Sequence, residues 1–337
     1  MKKLKNKILT DFVIIGTGNI ALRHLKNLKI LMPNSKIVVI KRSKSKIHQE
    51  FKKLCQIITN DIDVIFPKSN NSSAFICSAT TNHVSDALIL GKKQFNLFIE
   101  KPLSVNTKGI KNLINIKNDK KIKIMIGYNL RFLESVKKLK SILSKKSLGD
   151  LKHVYMYVGS NYKLWRKNIS YKKSVSSQKK LGGGVINELS HEIDMMTHLF
   201  GLPNKLSSAS YQSNEKEVDV EDTATSIFIY DKDRVSITIH QNMTAQKISR
   251  YSIYEFEKCT IKLDIIKNEI DIQSLQNHQN IKFKSNINDS YVNELKFFLN
   301  TKKLQITDYN FYNSINIINI IAAMKKSHQR LNKIKYV

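Results

Sequence analysis

The chain has 337 residues, with 57 Lys and Arg against 27 Asp and Glu, for a formal net charge of +30. That length is two domains' worth and enough to bury real cores, and a composition of 41% hydrophobic and 25% charged residues excludes a disordered, fibrous or membrane-embedded chain. The basic excess raises nucleic acid or a membrane surface as partner. Only 7 of the basic residues are Arg, the side chain whose fork reads guanine and clamps phosphate, so the charge reads as drift towards Lys and neither partner is expected.

At the N-terminus the run ILTDFVII is broken by Asp11 and enters a glycine turn, so it lacks a signal-peptide core. Cys55, Cys77 and Cys259 have no metal or redox spacing, and an odd count offers no disulfide framework. A reduced, soluble, cytoplasmic protein is expected. The longest apolar run, at 315–324, carries Asn316 and Asn319 and is too short and too polar to span a bilayer.

In chain order, predicted strands are FVIIG (12–16), KIVVI (36–40), SAFICSAT (73–80), FNLFIE (95–100) and KIMIGY (123–128), with amphipathic or Lys-rich segments between them. Continuous apolar strands separated by helices are the pattern of a parallel sheet covered on both faces. That predicts a doubly wound α/β domain over 1–127, with a closing helix to about 150. From 151 the strands lengthen and alternate polar with apolar, as antiparallel strands with one packed face do. Asp231–Asp233 and Lys267–Glu269 read as hairpin turns, and helices are expected at about 185–200 and 308–328. The second domain is placed at 128–337.

The first strand runs into Gly16-Thr17-Gly18-Asn19-Ile20-Ala21, a G-x-G-x-x-A fingerprint in the strand–turn–helix setting it requires. Gly16 permits the turn, Gly18 lets backbone N–H groups approach a pyrophosphate, and Ala21 keeps the helix close to the strand. The next strand ends in Lys41-Arg42-Ser43-Lys44 where an acid would bind a ribose 2′-hydroxyl. Arg42 and Ser43 suit a 2′-phosphate, so NADP(H) is expected over NAD(H); the alternative is a solvated Lys-rich loop.

The fifth strand ends in Glu100-Lys101-Pro102, beyond the carboxyl end of a sheet where ligands sit. A lysine there can stabilise negative charge developing during hydride transfer. Later, a glycine run leads into Val185-Ile186-Asn187-Glu188-Leu189-Ser190-His191, and Asn187, His191, Asp194 and His198 fall on one polar helical stripe. A histidine there can be the general base for an alcohol proton, or an ordinary helix histidine. No metal is expected from His191, Asp194 and His198, which lack a second cluster.

The order GTGNIA, SATTNHVSDAL, GKKQFNLFIEKPLS, GYNLRF, GGGVINELSHEID resembles the Gfo/Idh/MocA oxidoreductase family over nearly the whole chain. The resemblance implies a Rossmann domain plus an α/β domain with a large, mostly antiparallel, open-faced sheet that builds homodimers or homotetramers. It also implies a nicotinamide cofactor and a sugar, cyclitol or related carbinol substrate. Lys101 matches the family's E-K-P lysine and His191 the histidine of its D-x-x-x-H helix motif; the motif's aspartate is here Asn187, which can orient a substrate hydroxyl but cannot take a proton. Ala79, Thr80, Asn82 and His83 match the stretch beside the nicotinamide, with Glu100 and Lys101 completing the cofactor set.

For the substrate, Asn129 and Arg131 follow the last Rossmann strand, Arg131 facing either substrate or a structural salt bridge. Glu188 either tunes His191 or is solvated. Trp165 and Arg166, before a Ser-rich stretch, resemble members that make surface-polysaccharide or sialic-acid-like sugars; Trp165 either stacks on a sugar or packs on the sheet. The expected function is NADP(H)-dependent hydride transfer to or from a sugar or nucleotide-sugar in cell-surface glycan biosynthesis. The alternatives are a cyclitol dehydrogenase and a catalytically silent NAD(P)-binding regulator.

Overall fold

The computed structural model describes residues 7–42, 47–165, 170–213, 218–301 and 304–331. Its contacts divide the chain into two compact units, Met1–Gly127 with Tyr291–Ile315, and Tyr128–Ser290 with Asn316–Val337. The segment 291–315 therefore belongs with the first unit, whereas the sequence reading put it in the second domain.

In the first unit, β1 (Ile8–Thr10) pairs in parallel with β5 (Ile65–Pro67) as a small separate ribbon. The main sheet holds β2 (Phe12–Ile15), β3 (Ile37–Ile40), β4 (Ile57–Thr59), β6 (Ser73–Ile76), β7 (Asn96–Glu100) and β8 (Ile124–Gly127). Their order is β4-β3-β2-β6-β7-β8, parallel throughout. All four residues of β2, of β3 and of β8 are buried, which is why these strands read as unbroken apolar runs. Helices α1 (Asn19–Leu31), α2 (Gln49–Leu54), α3 (His83–Lys92) and α4 (Ile110–Lys120) are the connections. The strands β1, β4 and β5 have three residues each, too short for periodicity to reveal.

Helix α1 buries His24 fully, and its Nε2 lies 2.6 Å from Glu100 Oε1 at the end of β7. The ring sits edge-on to Phe98, 5.1 Å between centroids, in an apolar wall shared with Phe75. That wall is completed by Phe298 of α8 (Ile287–Asn300), edge-on to both phenylalanines. Lys123 caps α8 by donating Nζ to the carbonyls of Phe298 and Thr301. Asn310, on the long helix α9 (Leu304–Leu331), closes the sheet edge: its Oδ1 accepts from Ile126 N and its Nδ2 donates to Ile126 O, as a neighbouring strand would.

The second unit carries α5 (Glu134–Leu143), α6 (Val185–Glu188), α7 (His191–Phe200) and an eight-stranded sheet. Its strands are β9 (Leu151–Gly159), β10 (Lys205–Tyr211), β11 (Thr223–Tyr230), β12 (Val235–Asn242), β13 (Ser249–Phe256), β14 (Thr260–Asp264), β15 (Glu269–Gln273) and β16 (His278–Lys282). The order is β10-β11-β12-β9-β13-β14-β15-β16, antiparallel except for the β12–β9 pair. Alternation is strict in β12, whose Ile237, Ile239 and Gln241 are buried between half-buried neighbours. Both expected hairpin turns join consecutive strands, β11 to β12 and β14 to β15. Among the described residues no helix is long and apolar enough to cross a membrane.

The single helix expected at 185–200 is two. Leu189, at φ −101° and ψ 32°, ends α6, and Gln241 Nε2 of β12 donates to the freed Leu189 carbonyl at 2.7 Å. A buried carbonyl released from its helix needs such a donor, and only the folded sheet brings one. Replacing His24 with Ala leaves the Glu100 carboxylate buried without its partner and opens a cavity beside Phe98. Urea unfolding of His24→Ala is expected to show a loss of about 3 kcal/mol, and a change below about 1 kcal/mol would show the pair to be dispensable.

Candidate active site

Because the first sheet is parallel, the carboxyl ends of β2, β3, β6 and β7 share one edge. The turns leaving that edge carry Gly16–Ile20, Lys41–Arg42, Ser78–Asn82 and Lys101. Gly16, at φ +110°, is required by its own chain: a Cβ there would stand 2.5 Å from the Cys77 carbonyl oxygen. Gly18 is different. Its φ is −83° and a Cβ would meet nothing within 4 Å, so the protein's own packing does not demand glycine.

The open ground beside Gly18 faces the first turn of α1, which has no side-chain cap and no acidic residue. Unpaired N–H groups, the positive end of a helix dipole and room for close approach are what a dinucleotide pyrophosphate needs, so the residues present fit it. Thr17, Asn19 and Ile20 are half-buried or exposed around that turn, and Ala21 is fully buried against the sheet.

Lys41 and Arg42 follow β3 with no acid beside them in sequence. Arg42 forms an ion pair with Asp86 of α3, and Ser78 Oγ donates to the other oxygen of that carboxylate at 2.8 Å. Ser43 lies outside the described residues. On the turn after β6, Ala79 is half-buried, Thr80 buried and Asn82 exposed. His83 is corrected from a cofactor contact to a strut. It is buried, with Nδ1 2.9 Å from Pro102 O and Nε2 3.0 Å from Ser78 O. Burial pushes its pKa below the usual imidazole range against the pull of both carbonyls.

Glu100 is likewise corrected: its carboxylate is buried against His24, and its second oxygen accepts from the Lys101 N–H at 3.2 Å. Sequence reasoning missed His24, although a histidine on the buried face of a cofactor-loop helix was a visible signal. Lys101 itself is half-buried where the chain leaves β7.

In the second unit the candidate residues follow a glycine turn. Gly182 and Gly184 have φ of +87° and +108°, and a Cβ on Gly183 would stand 2.5 Å from Ser176 O. Asn187 lies beneath this turn, donating Nδ2 to the carbonyls of Gly182 and Gly183, each at 3.1 Å. The sequence reading made Asn187 a substrate-orienting group. Here it is 3% exposed and holds the turn, because both of its N–H donors are spent on main-chain oxygens. A carboxylate at this position would set its oxygens against the same two carbonyls.

His191 opens α7, with the Tyr128 ring edge-on at 5.6 Å between centroids. The two acids that follow it are each held by an arginine fork. Arg250 Nε and Nη2 donate to Glu192 at 2.7 and 3.0 Å, and Arg131 Nε and Nη2 donate to Asp194 at 2.9 and 2.5 Å. Arg131 thus takes the salt-bridge alternative, with its side chain only 8% exposed. Asn129, expected towards substrate, is buried and donates to Ser290 Oγ at 2.7 Å. Trp165 is half-buried with Nε1 on Ser160 Oγ at 2.7 Å, and Glu188 is half-buried. Arg166 lies outside the described residues.

Two family models match the chain: "Oxidoreductase family, NAD-binding Rossmann fold" over residues 10–128, and "Oxidoreductase family, C-terminal alpha/beta domain" over 145–335. A curated relative, myo-inositol 2-dehydrogenase of Thermotoga maritima, is 25% identical over 137 residues, 40% of this chain and 41% of that protein. The chain spans about half the length of the curated relatives it matches. Levoglucosan dehydrogenase, solved with NADH and levoglucosan, superposes with a TM-score of 0.79 at 14% identity, covering 96% of this chain and 98% of that one. UDP-N-acetylglucosamine 3-dehydrogenase from Acidithiobacillus ferrooxidans gives 0.75 at 13%, covering 95% and 98%. At such identities these structures establish the fold.

Asn187→Asp is expected to cost about 1–3 kcal/mol at neutral pH, by facing a carboxylate with two carbonyls. The introduced acid's folded pKa would then lie above its unfolded value, so the lost stability returns on acidification; a variant as stable as wild type at pH 7 refutes the strut. His198, half-buried and 3.2 Å from Lys140 Nζ, has its pKa pushed down to about 3 by burial first, then by Arg131 and Lys140. The unfolded chain protonates this histidine first, so its contribution is present above the ordinary 6.5 and lost as pH falls towards the folded value. Urea midpoints measured from about pH 7 to about pH 4.5 should fall less steeply for His198→Gln than for wild type.

Proposed function

Because the chain belongs to the Gfo/Idh/MocA oxidoreductase family, we propose that it moves a hydride between a nicotinamide coenzyme and a carbinol carbon of a sugar or nucleotide-sugar. The observation that carries this reading is Gly18, a glycine its own fold does not need, at the uncapped start of α1. Gly16, Thr17, Gly18, Asn19 and Ile20 would hold the pyrophosphate, and Thr80 and Asn82 border the nicotinamide end. The nicotinamide, when bound, supplies the hydride acceptor or donor. His191 takes the hydroxyl proton from the alcohol, or returns it in the reverse direction. Lys101 stabilises the negative charge on the carbinol oxygen. Asn187 acts on these groups only through the glycine turn it braces.

NADP(H) is favoured over NAD(H), since no acid follows β3 and Lys41 and Arg42 do. The half-buried Trp165 supports a sugar-ring contact, in keeping with a role in cell-surface glycan biosynthesis. The outward face of the second sheet, with Ile227 44% exposed, supports assembly into a homodimer or homotetramer. A second reading, a silent NAD(P)-binding regulator, draws on Asn187 in place of an acid; a cyclitol dehydrogenase draws on the inositol enzyme it resembles.

Nucleotide-sugars, sugars and cyclitols screened for a change in reduced-nicotinamide absorbance separate these readings. Turnover is expected for at least one sugar or nucleotide-sugar, with His191→Ala and Lys101→Ala each losing about 10²-fold or more while coenzyme still binds. Near-full activity in both variants sinks the assignment, and turnover with cyclitols alone selects that alternative.

A further inference from the structure

Resting on the NADP(H) reading, we propose that Asp86 is the positioning residue that presents Arg42 to the 2′-phosphate and so sets coenzyme choice. Arg42 stands two residues beyond β3, where the adenosine ribose of a dinucleotide meets a doubly wound sheet. Its side chain is 38% exposed, whereas that of Asp86 is 2% exposed, so the pair has one anchored member and one presented member. A guanidinium carries five N–H donors in one plane. Nη2 is on Asp86 Oδ1, and the remaining donors are left to face a phosphate.

The anchor is itself held. Asp86 Oδ2 accepts from Ser78 Oγ at 2.8 Å, so both carboxylate oxygens are engaged and the group has no free rotation. Ser78 O lies 3.0 Å from His83 Nε2, and His83 Nδ1 lies 2.9 Å from Pro102 O. The contacts run from the end of β3 through α3 to the turn that carries Lys101. An arginine ordered before the ligand arrives loses less side-chain freedom on binding than one drawn from solvent. It also neutralises the buried carboxylate, which would otherwise repel the phosphate. A 2′-hydroxyl has no charge to gain from this arrangement, so the effect of Asp86 falls on NADP(H) and spares NAD(H).

The test is calorimetric titration of NADP+, NAD+ and 2′,5′-ADP into wild type, Asp86→Ala, Asp86→Asn, Arg42→Ala and the Asp86→Ala/Arg42→Ala double variant, with circular dichroism as a check on folding. Asp86→Ala is expected to weaken NADP+ and 2′,5′-ADP about tenfold while NAD+ stays within about twofold. Asp86→Asn, which keeps an acceptor oxygen, should lie between, and Asp86→Ala should add nothing in the Arg42→Ala background. Equal loss on both coenzymes, unchanged NADP+ binding, or tighter NADP+ binding in Asp86→Ala overturns the role of Asp86, while weakened NADP+ in Arg42→Ala leaves the coenzyme reading standing. A wild type that binds NAD+ more tightly, with NADP+ binding indifferent to Arg42, overturns both.

Discussion

One imidazole–carboxylate contact ties together the functional edge of the first unit. His24 is fully buried on α1, and Glu100 is the last residue of β7, with 2.6 Å between them. A buried polar group is costly without a partner, and the rings of Phe98 and Phe75 line this pair with apolar surface. Through His24 the contact sets the helix whose first turn faces Gly18. Through Glu100, which also accepts from the Lys101 N–H, it sets the turn that carries the lysine. One short contact thus relates the glycine turn after β2 to Lys101, 77 positions later in the chain than His24.

The second unit meets the same demand with charge. Helix α7 is ten residues long and begins at His191, so its placement decides where that imidazole lies. Glu192 and Asp194 anchor it through two arginine forks that come from different parts of the unit, Arg250 on β13 and Arg131 on the turn after Tyr128. Bidentate geometry holds direction as well as distance. The break between α6 and α7, where Gln241 donates to the Leu189 carbonyl, puts Asn187 and His191 on different helices rather than on one stripe.

The readable parts of the sequence were those whose signal is local. The parallel strands announced themselves by unbroken apolar runs because both of their faces are buried, and the second sheet by alternation because one face is. The glycine fingerprint was legible because backbone torsion and close approach leave few alternatives to glycine. Partnerships were not legible. Glu100, His83, Asn129 and Arg131 all read as ligand contacts by position in a motif, yet each side chain is engaged by a residue or carbonyl elsewhere in its unit. Of these, only the Arg131 salt bridge was foreseen as an alternative. Charge followed the same rule: a net +30 read as dispersed lysine, while three of the seven arginines, Arg42, Arg131 and Arg250, each hold an acid.

By itself, then, the sequence determined the class of each sheet, the glycine turn after β2 and the family, because hydrophobic period and glycine torsion are properties of neighbouring residues. Only the tertiary structure decided which polar groups remain for a ligand. Hydrogen-bond partners such as His24 with Glu100, or Arg131 with Asp194, lie 76 and 63 positions apart. Nothing in the local pattern can pair groups at that separation; desolvation in the folded core does, since it makes each buried charge stable only beside the partner the fold supplies.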